Sequence, residues 1–241
     1  MKYLDLTLPS PAENLACDEA LLDACEAGTG GGDEVLRFWE PAGPFVVVGY
    51  ANRVAAEVNV DACARRAVPI LRRVSGGGTV VQGPGCLNYA LVLNLGRDPG
   101  LGSISGANRY ILQRHAACLG SLLGRQVSLE GQTDLAVDGR KFSGNAQRRK
   151  RHCLLFHGSF LLDLDLSLVA ALLPMPSRQP GYRGNRSHPE FLMNLGLPAG
   201  QLKAALRLAW AAADPLDHPP AEVTRDLSGG RYACEAWNRR W

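Results

Sequence analysis

Runs of apolar residues along the chain predict short strands interspersed with helices. Segment 45–49 is a continuous apolar run that fits a strand buried on both faces, and 87–95 alternates as a strand does. Segment 11–27 starts at Pro11 and spaces its leucines roughly as one face of a helix. Further strands are predicted over 35–39, 69–74, 126–129 and 154–164, and further helices over 57–67, 106–123, 166–173 and 200–213.

The order of these elements predicts an α+β fold with a central mixed or antiparallel sheet flanked by helices. Segment 133–137 is expected to pair with 141–142 across Asp138-Gly139, a strong hairpin dipeptide. Strands joined by hairpins are as frequent as strands joined by crossovers, which argues against a doubly wound nucleotide-binding fold. The glycine-rich segment 28–34 is interpreted as a linker.

Segment 174–200 is rich in Pro, Gly, Arg and Asn, which predicts a long irregular loop or a lid. No clear change in composition precedes it. We therefore expect one catalytic domain over 1–200, with a helical C-terminal tail of the same domain over 201–241.

Composition and charge exclude several classes of protein. The chain has 241 residues, of which 46% are hydrophobic and 20% charged, as is ordinary for a globular protein. The net charge of +3 is too small to indicate nucleic-acid binding. Acidic residues interrupt the N-terminal stretch and the apolar run 160–175, so neither a signal peptide nor a membrane span is predicted. A cytoplasmic location is expected.

The seven cysteines are scattered, and no two of them form a CxxC pair. Neither a disulfide scaffold nor a zinc or other metal site is therefore predicted. Free thiols in a reducing compartment are expected.

A glycine triplet after a predicted strand is the first candidate site. Gly76, Gly77 and Gly78 allow backbone with positive φ, close approach to a ligand, and successive N–H groups that bind an anion. Arg72 and Arg73 precede the triplet and supply planar donors suited to phosphate or carboxylate. The pattern is neither of the two standard nucleotide-binding loops, and a glycine-rich turn with exposed arginines is the alternative.

Lys141 is the second candidate, because the chain has only four lysines among its 26 Lys and Arg residues. The small residues Ser143 and Gly144 leave space beside its ammonium group. A lysine there can point into a cleft and stabilise charge on a phosphoryl or acyl oxygen. The alternative is a solvated lysine after a hairpin.

His157 interrupts a predicted apolar strand and is followed by Gly158. The residues alone favour a core histidine hydrogen-bonded to the backbone over a catalytic one. The charged run 148–152 is interpreted as an exposed hairpin tip.

Three segments follow one another in the chain, namely RRVSGGGTVVQGPGCLNY, GQTDLAVDGRKFSGNAQRR and LFHGSFLLDLD. In this order and spacing they resemble the lipoate–protein ligase A family, part of the biotin/lipoate ligase and octanoyltransferase superfamily. NLACDEALL and VVVGYANRVAAEVN are also similar to that family. The resemblance covers roughly residues 10–195.

The resemblance implies an α+β catalytic domain like that of biotin ligases and class II aminoacyl-tRNA synthetases. It implies a lipoate–protein ligase that uses ATP and Mg²⁺ to convert lipoate or octanoate into an acyl adenylate. The acyl group would then pass to a lysine of a lipoyl acceptor domain. That domain would belong to a 2-oxoacid dehydrogenase E2 component or to the glycine cleavage H protein. Neither nucleic acid nor a membrane is expected as a partner.

By the same resemblance, Lys141 is the catalytic lysine. The residues that match substrate-contacting or pocket-lining positions of the family are Arg72, Arg73, Ser75, Gly76, Gly77, Gly78, Thr79, Val80, Asp134, Ser143, Gly144, His157 and Gly158. Acyl adenylation builds negative charge on phosphate and carbonyl oxygens, which these donors suit. The apolar segments 46–48 and 91–93 are expected to wall a tunnel for the acyl chain.

The chain departs from the ligases at Gly83-Pro84-Gly85, which looks more like the octanoyltransferase branch. Such transferases use a nucleophilic cysteine and an acyl-carrier-protein thioester instead of ATP. In one such branch the cysteine lies upstream of the matching lysine, where this chain has none at 126–130. Cys86 and Cys153 remain candidates, although a buried structural thiol is expected for both. The ligase is the leading hypothesis, and an octanoyl or lipoyl transferase is the second.

Larger ligases carry an accessory C-terminal domain, and no counterpart of it is expected in the segment that follows Gly200. The chain is therefore expected to need a separate accessory ligase subunit or to catalyse part of the reaction. The loop residues Arg178, Tyr182, Arg183 and Arg186 either steer an acidic acceptor domain or are simply solvated. A third hypothesis is a non-catalytic lipoate- or biotin-binding module.

Overall fold

Strands and helices alternate along the chain. The computed structural model describes residues 1–28 and 32–240. The strands are β1 Lys2–Asp5, β2 Val35–Trp39, β3 Phe45–Val48, β4 Ile70–Arg72, β5 Val80–Gln82, β6 Cys86–Asn94, β7 Ser128–Glu130, β8 Asp134–Val137, β9 Arg140–Arg149, β10 Cys153–Leu161 and β11 Asp214–Pro215. The helices are α1 Pro11–Glu26, α2 Val54–Glu57, α3 Val60–Arg65, α4 Ile104–Leu123, α5 Leu166–Leu172, α6 His188–Phe191, α7 Ala199–Ala209, α8 Ala221–Leu227 and α9 Glu235–Asn238. None of the described helices is both long and apolar enough to cross a membrane.

The described strands form two sheets. The large sheet has eight strands in the order β11-β1-β2-β6-β10-β9-β8-β7, and the small one has three in the order β4-β3-β5. In the large sheet β1 runs parallel to β2 and β11, whereas the other neighbours are antiparallel. The predicted α+β fold with a central mixed sheet is therefore confirmed.

The two faces of the large sheet pack against different layers. On one face, Leu91 of β6 packs in a core with Ile111 of α4. On the other face, the next residue of β6, Val92, packs with Leu22 of α1. This division follows from the alternation of side chains along a strand. The small sheet lies on the α1 side, where Val47 of β3 shares an apolar cluster with residues of α1 and β2.

Side-chain caps explain where two of the helices begin. The hydroxyl of Ser10 and the carboxylate of Glu13 form a capping box at the start of α1, in line with the helix predicted over 11–27. The single helix predicted over 57–67 is wrong. The side chain of Asn59 accepts a hydrogen bond from the backbone N–H of Ala62 and starts α3 afresh after α2 has ended.

Loop predictions had mixed outcomes. Residues 29–31 of the predicted linker lie outside the described residues. The predicted irregular segment 174–200 contains a 3₁₀ turn at Gly181–Arg183 and the short helix α6. The hairpin tip predicted at 148–152 is confirmed in part, since β9 continues to Arg149 and 150–152 form the connection to β10.

The C-terminal segment, residues 221–240, returns to the small sheet, where Arg72 binds its residues 237–240. Arg72 is fully buried and its guanidinium donates to six backbone carbonyls, which belong to Gly49, Tyr50, Asn52, Trp237, Asn238 and Arg240. The indole N–H of Trp237 donates in turn to the carbonyl of Arg72 at 2.9 Å. The guanidinium of Arg72 is thus occupied by the protein's own carbonyls. Its predicted role as a substrate-contacting residue stays a prediction, which this placement does not support.

One expectation about the cysteines is wrong. Cys25 of α1 and Cys153 of β10 form a disulfide, with their Cα atoms 6.4 Å apart and 128 residues between them in sequence. Scattered spacing cannot reveal this pair, because the two residues meet only after α1 has packed on β10. Cys17, Cys63, Cys86, Cys118 and Cys234 are free.

Replacing Arg72 with Met is expected to lower the free energy of unfolding by at least about 3 kcal/mol, because several buried carbonyls lose their donor. Chemical denaturation followed by circular dichroism measures the change. Arg109→Met on the exposed face of α4 is the matched control, and it should unfold at a denaturant concentration close to that of the unaltered protein. Equal stability of the two variants would contradict the proposed anchoring.

Candidate active site

A β-bulge in β9 decides which way the Lys141 side chain points. Ser143 pairs with Leu135 on β8, and Lys141 pairs with the next residue of β8, Ala136, so Phe142 is an extra residue in β9. In a regular strand Lys141 and Ser143 would share a face. The bulge instead turns both Phe142 and Ser143 toward the α4 core and Lys141 toward the opposite face.

The ammonium group of Lys141 is held by a carboxylate, which is in turn held by a phenol. Its Nζ lies 2.7 Å from Oδ1 of Asp134, and the two side chains are only 21% and 12% exposed. Oδ2 of Asp134 accepts a hydrogen bond from the Tyr182 hydroxyl at 2.8 Å. Burial, followed by the charge of Asp134, raises the pKa of Tyr182, so the phenol stays protonated and donates.

Gly144 leaves the space that the Lys141 ammonium occupies. A Cβ atom at Gly144 would lie 2.9 Å from Nζ of Lys141 and 3.8 Å from Oδ1 of Asp134. Any larger residue would displace the ammonium group. The expectation that a small residue makes room for this lysine therefore has a direct counterpart in the structure.

Arg73 organises the glycine loop from beneath. It is 8% exposed, and its Nη2 donates to the carbonyls of Gly76 at 2.6 Å and Gly78 at 2.7 Å. Burial lowers the pKa of Arg73 to about 10, so it remains charged at neutral pH. A trans peptide unit points its C=O and N–H in opposite directions. The N–H groups of Gly77 and Thr79 are therefore turned away from Arg73 and toward the exposed side of the loop.

The glycine loop lies against the same face of β9 as Lys141. A Cβ atom at Gly77, whose φ is +87°, would lie 3.7 Å from Cβ of Ala146 and 3.0 Å from Nη2 of Arg73. Ala146 follows Gly144 by two residues, a spacing of about 7 Å along a strand. Lys141, Asp134 and the glycine loop thus border one shared surface.

A chain of buried polar side chains reaches the glycine loop from α1. Nε2 of His157 lies 2.5 Å from the hydroxyl of Ser75, and Nδ1 lies 3.4 Å from Oδ2 of Asp18. Oδ1 of Asp18 pairs with Nη1 of Arg37 at 2.5 Å. Nε of Arg73 donates to the hydroxyl of Ser75 at 3.1 Å. His157 is therefore bonded to side chains rather than to the backbone partner that the sequence favoured.

Two predicted site residues, Ser143 and Gly158, face away from this surface. Ser143 is turned toward the α4 core by the bulge and lies 3.3 Å from Nδ2 of Asn145. A Cβ atom at Gly158 would collide with Oδ1 of Asn145 and would lie 2.7 Å from the carbonyl of Gly144. Gly158 is thus needed for the close packing of Asn145, and we correct both residues to packing positions.

Other predicted positions flank the site. Val80 lies in β5 and pairs with Val47, while the hydroxyl of Thr79 is 3.5 Å from Nδ2 of Asn52. Leu91 and Leu93, expected to wall an acyl tunnel, belong to the α4 core on the far face of the sheet. Their assignment to the tunnel is therefore wrong.

The arginine-rich loop packs over the β8–β9 hairpin. Arg183 is 4% exposed and its Nη2 lies 3.3 Å from Nδ1 of His188, so it is not a surface residue that steers a partner. Arg186 donates to the carbonyls of Gly139 and Tyr182 at 2.9 and 2.8 Å. The loop thereby holds Tyr182 in contact with Asp134.

Neither candidate cysteine has the surroundings of a nucleophile. Cys86 is buried among apolar side chains such as Val48 and Val81, and burial raises its pKa to about 11. Cys153 forms the disulfide with Cys25. A thiolate is the reactive form of cysteine, so these placements argue against both.

An opening lies beside the glycine loop. A cavity of about 210 Å³ is lined by Val74 and Gly76, on either side of Ser75, and by Tyr50, Gln147 and Arg148. The guanidinium of Arg148 lies over the ring of Tyr50, 5.8 Å from its centroid. This opening is therefore bordered by an aromatic ring and a cationic side chain.

The described residues of the site provide no free carboxylate ligand for the Mg²⁺ ion that the family resemblance implies. Asp134 is the carboxylate beside Lys141, and both of its oxygens are already engaged, by Lys141 and Tyr182. Among residues 1–28 and 32–240, no group of three or more His, Cys, Asp or Glu side chains is placed to hold a metal ion. These residues do not fit a protein-built Mg²⁺ site, which needs one or two free carboxylates.

Sequence reasoning missed Asp18, Arg37 and the role of Tyr182. A signal for two of them is visible in retrospect. Arg37 interrupts the apolar strand β2, and Asp18 lies in a buried stretch of α1. A charged residue inside an apolar element needs a buried partner. Tyr182 had no such signal, because its segment has no periodic pattern.

Comparison with known proteins assigns the family. Residues 10–199 match the family model of the lipoyl protein ligase A/B catalytic domain. The chain is 28% identical over 266 residues to octanoyltransferase LipM of Lysinibacillus sphaericus, covering 95% of each. It is 31% identical over 172 residues to a putative lipoate-protein ligase A of Aeropyrum pernix, covering 70% of this chain and 61% of that protein.

Solved structures share the fold. A bipartite lipoate protein ligase of Thermoplasma acidophilum, solved in a study that included its E2 lipoyl domain, superimposes with a TM-score of 0.84 at 22% identity. The match covers 99% of this chain and 95% of that one. With the matching family model and this common fold, the chain belongs to the lipoyl protein ligase A/B catalytic domain family.

Proposed function

We propose that this protein transfers a medium-chain acyl group, octanoyl or lipoyl, to the lysine amine of a lipoyl acceptor domain. The observation that carries the proposal is the Lys141 ammonium, which Asp134 holds at 2.7 Å on the same strand face as the glycine loop. A fixed cation beside outward-turned backbone N–H groups suits the charge that develops on an acyl carbonyl oxygen.

An acyl-carrier thioester is the proposed donor. The LipM relative named above matches this chain over 95% of both lengths, and its name is octanoyltransferase. Arg72, expected to contact an adenylate, already donates to six backbone carbonyls. The thioester route does not need this guanidinium to bind a phosphate.

The second candidate function is the ATP-dependent ligase. It is favoured by the likeness to the Aeropyrum protein and by the cysteines, since Cys86 is buried among apolar side chains and Cys153 forms a disulfide. When bound, ATP would activate a free acid as an acyl adenylate. Lys141 and the loop N–H groups would then meet the same carbonyl oxygen.

One assay with two donors separates these functions. We expect octanoylation of a lipoyl domain from octanoyl carrier protein without ATP, detected as a gain in the mass of the intact acceptor. The parallel reaction contains lipoate, ATP and Mg²⁺. A lipoyl domain whose acceptor lysine is replaced by Arg is the control and should stay unmodified. Transfer only in the ATP reaction would establish the ligase instead, and transfer in neither would reject both.

Replacing Lys141 with Met is expected to lower kcat about 100- to 1,000-fold, the usual effect of losing one donor to a developing oxyanion. Initial rates of acceptor acylation measure the change. Lys150→Met is the matched control, because Lys150 also pairs with an aspartate, Asp23, at 2.6 Å but lies outside the site. Similar rates for the two variants would contradict the role of Lys141.

A further inference from the structure

The thioester route raises the question of which group receives the acyl chain first. A nucleophile in acyl transfer needs a base within hydrogen-bond reach, and that base needs a third group to orient it. Cys86 and Cys153 lack this arrangement, as described above. The hydroxyl of Ser75 has it, with His157 at 2.5 Å and Asp18 beyond.

We propose that Ser75 is the nucleophile that carries the acyl group, with His157 as its general base. This inference rests on the proposed function with a thioester donor. Asp18 is a positioning residue in the scheme. It accepts from Nδ1 of His157, which leaves Nε2 free to take the Ser75 proton.

Arg37 explains why Asp18 is available to His157. It is fully buried, and its Nη1 donates to the carbonyl of Asn14 at 2.8 Å as well as to Oδ1 of Asp18. Asp18 is therefore a buried carboxylate with one oxygen paired and the other turned to the imidazole. The hydrogen-bonded series thus takes Asp18 from α1, Arg37 from β2, His157 from β10 and Ser75 from the loop after β4.

The charge that develops on the acyl group has donors close by. Nε of Arg73 lies 3.1 Å from the Ser75 hydroxyl, and the N–H groups of Gly77 and Thr79 are turned away from Arg73. Removing one such donor from an oxyanion site costs about 100- to 1,000-fold in rate. Ser75 is buried, which keeps water from an acyl ester, while Val74 and Gly76 beside it line the open cavity.

The reaction then balances in two steps without an oxidant or reductant. In the first, Ser75 Oγ bonds to the thioester carbonyl carbon, the C–S bond breaks, and the Ser75 proton passes through His157 to the departing carrier thiolate. In the second, the acceptor lysine amine bonds to the ester carbon and the C–O bond breaks. The amine proton passes through His157 back to Ser75 Oγ.

An acyl-enzyme trap tests the proposal. The full-length protein is mixed with octanoyl carrier protein and no acceptor, and its intact mass and peptide map are recorded. We expect one octanoyl group on Ser75 that resists neutral hydroxylamine, as an oxygen ester does. Ser75→Ala should form no adduct and should lose at least about 1,000-fold in transfer rate, the scale of removing a nucleophile from a triad.

Three further variants separate chemistry from folding. Ser75→Cys should form a thioester adduct that neutral hydroxylamine releases. This variant tests position 75 as the nucleophile even if Ser75→Ala folds poorly. His157→Gln should slow adduct formation by about 1,000-fold. Ser228→Ala, a buried serine in the C-terminal segment, is the control and should trap and transfer as the unaltered protein does.

The outcomes distinguish this inference from the proposed function. If transfer from the thioester occurs, three results would overturn the role of Ser75 while keeping the proposed transferase activity. They are an adduct on a cysteine, the absence of any adduct, and full activity of Ser75→Ala. Transfer only with ATP and lipoate would likewise remove Ser75 as nucleophile while keeping acyl transfer to the lipoyl domain. Transfer from neither donor would overturn both.

Discussion

The site depends on guanidinium groups that are buried and must therefore find acceptors inside the protein. A guanidinium has five N–H donors, and each one removed from water needs a partner. Arg37, Arg72 and Arg73 satisfy most of theirs with backbone carbonyls and with Asp18. Arg72 and Arg73 thereby fix segments that have little regular structure of their own, whereas Arg37 fixes a side chain of α1. Arg37 fixes Asp18, Arg72 the loop after β3 and the C-terminus, and Arg73 the glycine loop.

The need for internal acceptors also explains why the adjacent residues Arg72 and Arg73 have different structural roles. Arg72 ends β4 and points toward the C-terminal segment, whereas Arg73 lies just beyond the strand and points beneath Gly76. Neighbouring residues of an extended chain face opposite ways. The two positions are equivalent in a sequence motif, so the motif alone assigned both to the substrate. The structure separates them by direction.

The mixed sheet and the β8–β9 hairpin were within reach of the sequence, because apolar alternation and Asp138-Gly139 are local signals. The bulge at Phe142 was not. An alternating pattern assumes two residues per repeat, and one extra residue reverses every assignment beyond it. Ser143 was assigned to the site by its small size and by the family resemblance, while the bulge turns it to the core. The break between α2 and α3 at Asn59 was missed for a similar reason, since a single cap interrupts an otherwise helical stretch.

Lys141 and the glycine triplet could be found from sequence. Lysine is rare in this chain, and three consecutive glycines directly follow a predicted strand. Asp18 and Arg37 are ordinary residues that join His157 in a cluster only when α1 packs on the large sheet. Long-range packing of this kind leaves no spacing rule in the chain. The disulfide between Cys25 and Cys153 joins the same two elements, α1 and β10, that carry Asp18 and His157. The cross-link therefore limits how far these two groups can separate.

The proposal of a thioester donor over an adenylate donor rests on the charged groups around the site. Both donors place the same developing charge on the carbonyl oxygen, so Lys141 and the loop N–H groups serve either one. They differ in the leaving group. A polyphosphate brings several charges and a Mg²⁺ ion that need free cations and carboxylates. Here Arg72 and Asp134 are already saturated by internal partners. A thiolate leaving group needs a proton instead, and a buried imidazole beside the glycine loop is placed to deliver one. The internal saturation of these charged groups therefore favours the thioester.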